Sequence, residues 1–163
     1  MAKDEVDALV AAWARERPDL DVDPLAVFSR VSRLDRHLAR ARRDAFARHR
    51  VEAWEFDVLA ALRRAGEPYQ LSPGALLRAT LVSSGTTTHR IERLRRRGLV
   101  ERLPDPEDGR AALVRLTAAG RNLVDAAMGE LLKRERELLG RLDAGQRRSL
   151  AGLLREVLLP LDG

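Results

Sequence analysis

With 163 residues and 45% hydrophobic content, the chain holds enough apolar material for one packed domain with helical extensions, which argues against a disordered chain. Its 30 basic residues against 25 acidic ones give a net charge of +5, and all of the basic side chains except Lys3 and Lys133 are arginine, which forks onto phosphate and guanine and so indicates an anionic partner. The absence of cysteine, three scattered histidines (His37, His49, His89) and the lack of a glycine-rich phosphate loop, G-x-S-x-G or H-E-x-x-H argue against disulfides, metal and catalysis.

A GC-rich coding sequence would also enrich arginine, so clustering carries more weight than the total. The opening "MAKDEVDALV" lacks the apolar core of a signal peptide. No apolar run approaches the roughly 20 residues that span a bilayer. No membrane partner and a cytoplasmic location are the expectation.

In chain order, residues 3 to 16 place Val6, Leu9, Val10 and Trp13 at i, i+3, i+4 and i+7, an amphipathic helix whose stripe needs covering. Packing is the simplest role for Trp13. After "RPDLDVDP", Asp23 and Pro24 start a long helix running to about Arg48, with Phe28, Val31, Leu34, Leu38 and Phe46 near one face. Its length suggests packing against a partner chain. A third helix covers about Ala53 to Ala65. Asp57 lies opposite its Phe56, Leu59 and Leu62 stripe, either solvated or covered by an added element, while Trp54 and Phe56 are most simply core. Ser72-Pro73 begins a short helix, and Ser83/Ser84 begin another that stops at Gly98.

Two short runs, Leu99 to Leu103 and Ala111 to Leu116, flank a loop of Pro, Asp and Gly, a β-hairpin with a charged tip. Thr117 caps a helix to about Gly140, and Asp143 caps a last one that stops at Pro160. Helix-turn-helix followed by hairpin predicts a mainly α (α+β) winged helix-turn-helix with a two-stranded wing. Residues 1–48 form an added helix and a dimerisation helix, 49–116 the DNA-binding lobe, and 117–163 C-terminal dimerisation helices.

The segment "SSGTTTHRIERLRRRG" (83–98) carries five arginines. At 100° per residue, Thr87, Ile91 and Leu94 point inward, while Thr86, His89, Arg93, Arg96 and Arg97 lie broadly opposite. Thr86, Thr88, His89, Arg93 and Arg97 are therefore candidate major-groove contacts, since arginine grips guanine bidentately and threonine offers a hydroxyl and a methyl. Ser83, Ser84 and the first free N–H groups can bind phosphate. A merely solvated arginine face is the plainer alternative, made less economical by the flanking short helix and hairpin. Arg90 falls between the faces and calls for an anionic partner; on spacing alone a structural salt bridge is the simpler role. In the hairpin tip, Arg110 can enter the minor groove, with Asp108 steadying it.

The stretch from "WEFDVLAALRRAG" through "VSSGTTTHRIERLRRRGLVERLPDPEDGRAALVRLTAAGR" resembles the MarR family of dimeric winged-helix regulators, from about Pro24 to the C-terminus. Asp108-Gly109-Arg110 followed by "LVRLTAAG" carries the wing pattern. Trp13 followed by "ERPDLD" is similar to the extra N-terminal helix of the PecS-like, urate-responsive branch. That resemblance implies ligand-response roles for Trp13, Asp57 and Arg90, and no cofactor beyond a small-molecule effector. Where the branch reads close to "SSGAMTNR", this chain has "SSGTTTHR", and Gly109 replaces the first of two wing arginines. The expectation is a homodimeric regulator, a repressor of nearby genes, released from a pseudo-palindromic operator by a small urate-like organic anion. The alternatives are a tricarboxylate or phenolic ligand on the same fold, or a ligand-independent architectural DNA-binding protein.

Overall fold

The computed structural model describes residues 3–80, 84–104 and 112–161, with the backbone alone for 84–87. Among these residues the order is α1 (Glu5–Glu16), α2 (Asp23–Arg48), α3 (Ala53–Arg64), β1 (Gln70–Leu71), α4 (Pro73–Thr80), α5 (Ser84–Arg96), β2 (Val100–Pro104), β3 (Ala112–Leu116), α6 (Ala118–Leu138) and α7 (Ala144–Leu158). The helices start and stop close to the predicted signals, and the fold is the expected winged helix-turn-helix. Two compact units result, Met1–Arg42 and Arg43–Gly163, so their boundary falls inside α2.

In the first unit, Asp4 caps α1 by accepting from the backbone N–H groups of Val6 and Asp7, and the Asp7 side chain accepts from Asp4 N. Arg30 of α2 forks onto Asp4 at 3.0 Å from both Nε and Nη2 and reaches Asp7 at 2.9 Å, while Arg33 pairs with Glu5. The Arg30 hydrogen bond holds the Asp4 carboxyl down to about 2. Val6 is buried and Val10 half-buried, yet much of the apolar surface is open: Leu9, Phe28, Val31 and Leu34 are exposed, and Trp13 is 47% exposed. The simplest expectation for Trp13, packing, is thus not met within the single chain.

The second unit is built on α3. Phe56, Val58, Leu59 and Leu62 are buried, and the Phe56 ring stacks on Phe46 at 4.4 Å between centroids. Leu76 of α4, Ile91 and Leu94 of α5, Val100 of β2 and Val114 of β3 complete the core. Each such fully buried side chain contributes roughly 1.5–3 kcal/mol. The sheet is antiparallel in the order β1-β3-β2, with Val100 opposite Leu116, Arg102 opposite Val114 and Gln70 opposite Arg115. Beyond the expected hairpin, β1 adds a third strand; two residues are too short to show a period-2 pattern.

α6 also enters this core through Val124, Ala127 and Leu131 while leaving Met128, Leu132 and Leu138 exposed. It is both a lobe element and an uncovered surface, so residues 117–163 share a unit with the winged-helix lobe. No residue of α7 is buried, and its Leu153, Leu154, Val157 and Leu158 are exposed.

The junction between α5 and the sheet is closed by two glycines. Gly98, at φ +69°, ends α5 in the left-handed region that only glycine enters without cost, letting Leu99 N donate to Leu94 O at 3.0 Å. The Thr117 hydroxyl donates to Gly98 O at 2.7 Å and accepts from Gly120 N at 3.0 Å, tying the end of α5 to the start of α6. A Cβ on Gly120 would stand 2.1 Å from Leu99 O, so α6 approaches the chain too closely there for any side chain.

Candidate nucleic-acid interface

Two faces separate on α5 because its apolar residues recur at a helical interval. Ile91 and Leu94 are buried against the core, and Thr88, His89, Arg93 and Arg96 are exposed. An apolar base under a basic outer surface is the arrangement a groove-reading helix requires. Glu92 is the one acidic residue of this helix. It accepts from Arg95 at 2.8 and 2.9 Å and from Arg96 at 3.3 Å, and the Arg95 hydrogen bond holds its carboxyl down to about 2. Arg96 remains 77% exposed. It is the arginine of this helix most open to a partner.

Two other arginines turn back onto the start of α3. Arg97 donates from Nη1 to Glu55 Oε2 at 2.5 Å and from Nη2 to Arg50 O at 3.0 Å. Glu55 is completely buried; its Oε2 also accepts from Glu52 N at 3.0 Å, and Oε1 has no hydrogen-bond partner among the described residues. Arg93 pairs with Glu52, its Nε lies 3.7 Å from Glu55 Oε1, and its guanidinium sits 5.4 Å from the Trp54 ring centre. The Trp54 indole N–H donates to Glu52 Oε2 at 2.6 Å. That bond, and then the one from Arg93, hold the Glu52 carboxyl below the usual range.

Arg90 is half-buried, as its position between the faces predicts. Its partner is the Trp54 ring at 5.2 Å rather than a carboxylate, and among the described residues no ion pair forms with it. Trp54, His89, Arg90 and Arg93 line an open groove of about 240 Å³.

The structure therefore brings Arg90, Arg93, Arg97 and His89 onto one side of the lobe, with Trp54, Glu52 and Glu55 behind them. Asp57 is exposed on α3, and Trp13 stands on α1 in the other unit. Ser83, Asp108 and Arg110 lie outside the described residues, and Ser84 and Thr86 are described by backbone only. Sequence reasoning missed Glu52 and Glu55 and placed Trp54 in the core alone. Trp54 does pack on the core, but it also faces the arginines. The available signal was "VEAWEF", two glutamates three apart flanking an aromatic at a helix start, which reads first as capping.

The MarR family profile matches residues 51–111. Over 153 residues the chain is 36% identical to the HTH-type transcriptional regulator PecS of Dickeya dadantii, covering 94% of this chain and 92% of that one. It is also similar to a crystal structure of a MarR mutant from E. coli complexed with operator DNA, at TM-score 0.68 and 28% identity, covering 84% of this chain and 95% of that one. A structure of Bordetella bronchiseptica BpsR, whose DNA binding is regulated by 6-hydroxynicotinic acid, aligns at TM-score 0.64 and 31% identity, covering 80% and 91%.

Proposed function

The chain belongs to the MarR family of DNA-binding transcriptional regulators, and on that premise we propose that it is a homodimeric repressor released from its operator by a small organic anion. The observation that carries this is α5: an exposed basic face on a buried apolar base. A two-fold dimer presents two copies of α5 to successive major grooves about 34–36 Å apart, on a pseudo-palindromic site. Arg110 of each wing reaches the flanking minor groove, steadied by Asp108, and Ser83, Ser84, Thr86 and Thr88 contact backbone or bases.

Dimerisation is supported by the apolar residues the single chain leaves open: Leu9, Phe28 and Val31 in one unit, and Met128, Leu132, Leu153, Leu154, Val157 and Leu158 in the other. Exposed large apolar side chains in this number are what an interface between copies would cover. Support for an anionic effector comes from Arg90, a half-buried guanidinium on an aromatic face without a carboxylate partner among the described residues. Such a charge is stabilised when an anion joins it. The proposed ligand is a planar, urate-like anion that engages Arg90 with Asp57 of the same unit, and the family resemblance adds a response role for Trp13 in the other unit. Its arrival shifts α5 so that the spacing of the two helices no longer matches DNA. Losing two arginine–guanine pairs costs roughly 2–6 kcal/mol, enough to empty an operator.

The test is a gel-shift titration on the intergenic DNA beside the protein's own gene at fixed salt, with urate, aconitate and 6-hydroxynicotinate in separate arms. Tight binding released by urate supports the reading. Release by another anion alone reassigns the effector, release by none removes the ligand-responsive half, and binding no tighter than to scrambled DNA removes the operator.

A further inference from the structure

We propose that Glu52 sets the DNA affinity of this protein by competing with the nucleic acid for Arg93; the inference rests on Arg93 being a DNA contact. Arg93 stands on the outward face of α5, but its guanidinium is drawn onto the start of α3, paired with Glu52 and lying over Trp54. Glu52 is organised for this role. It accepts the Trp54 indole N–H at 2.6 Å, which orients its carboxylate towards Arg93, and that same bond and the guanidinium keep it ionised. Glu55 stands 3.7 Å behind as a second, buried carboxylate, so the start of α3 offers Arg93 a defined place within the protein.

An arginine that forks onto guanine or straddles a phosphate uses the same N–H groups that now point at Glu52. Turning outward to fork onto a base or phosphate takes the guanidinium away from the Nη2 bond that it now makes to Glu52. Each DNA-binding event therefore exchanges the carboxylate for the nucleic acid, and observed affinity is the difference between the two. Both side chains are about half exposed, which makes the resting pair weak enough to yield. Arg97 is different: its partner Glu55 is completely buried and its second bond goes to backbone, so it stays with the protein.

The experiment is fluorescence anisotropy at fixed salt and pH on wild type, Glu52→Gln, Arg93→Ala and the double variant. The probe is a labelled duplex enriched from a randomised pool by the wild-type protein. Glutamine retains a carbonyl to accept the Trp54 N–H, and thermal melts check that each variant is folded. Glu52→Gln is expected to bind about 2–5-fold tighter, the range spanned by an exposed ion pair, and the gain is expected to vanish when Arg93 is already alanine. No gain in Glu52→Gln overturns the proposal. A gain that persists undiminished in the Arg93→Ala background also overturns it, because the effect is then the general removal of a negative charge near DNA. If Arg93→Ala alone binds like wild type, Arg93 is not a DNA contact, and the premise fails together with the proposal while the family assignment stands.

Discussion

Replacing Arg97 by alanine is expected to cost the fold rather than only the DNA contact. The guanidinium is the charged partner of Glu55, whose side chain is completely buried, and it also closes the α2–α3 turn through Arg50 O. Without it, the Glu55 carboxylate keeps the Glu52 N–H bond on Oε2, and Oε1 remains without a hydrogen bond among the described residues. Removing one member of a buried ion pair typically costs 3–5 kcal/mol. Arg97 is itself 32% exposed, so solvent screens part of the attraction and places the expected loss near the lower end, about 3 kcal/mol. For a chain of this size that is a fall of roughly 6–12 °C in Tm. Far-UV circular dichroism during heating, at one protein concentration to hold any dimer fixed, reads it directly. Arg96→Ala is the internal comparison: that side chain is 77% exposed and, among the described residues, bonded only to Glu92, so its loss is expected to stay within about 0.5 kcal/mol. Equal melting of the two variants would refute the assignment of Arg97 as the buried partner. Wild-type stability of Arg97→Ala combined with lost DNA binding would put the side chain on DNA instead.

Gly120→Ala drives a methyl into Leu99 O and the Leu116 side chain, so a loss of about 1–3 kcal/mol or more is expected in urea unfolding; an unchanged midpoint would mean that α6 can lift away there. Asp4 has a carboxyl held down to about 2, below the ordinary value of 3.8, so its hold on Arg30 is complete above about pH 4 and is lost as pH falls from there towards 2. Amide hydrogen exchange should show α1 protected at pH 5 and loosening between pH 4 and 2, whereas loosening already at pH 6 would mean that another contact governs α1. Arg90→Ala is expected to keep DNA affinity within a few-fold and lose the response to the effector; complete loss of DNA binding would make Arg90 a DNA contact or a fold element.

What could be read from the chain follows from what is local. Helix periodicity, the caps at Thr117 and Asp143 and the stop at Gly98 specify the helices to within a residue or two, and the two faces of α5 follow from the same period. The strand β1 could not be seen, because its pairing with β3 is created by the tertiary fold and spans only Gln70 and Leu71. The burial of Glu55 was also hidden: a glutamate in the first turn of a helix reads as a solvated charge favourable to the dipole, and only the approach of α5 encloses it. Trp54 shows the same limit. A tryptophan beside an apolar stripe is assigned to the core, while its second face, against Arg90 and Arg93, depends on a helix more than thirty positions away. Trp13 lies on α1 as its spacing implies, but burial depends on what packs against that helix, and its side chain remains 47% exposed among the described residues.

Hydroxyl-radical footprinting on the intergenic duplex, with and without urate, tests most directly that paired α5 helices read DNA and let go when an anion binds. Two protected patches on one face of the duplex are expected, about 10–10.5 base pairs apart, both fading as urate is added. A single patch, or continuous protection without periodicity, would contradict the paired-helix geometry. Two patches indifferent to urate and to the other anions would contradict the release.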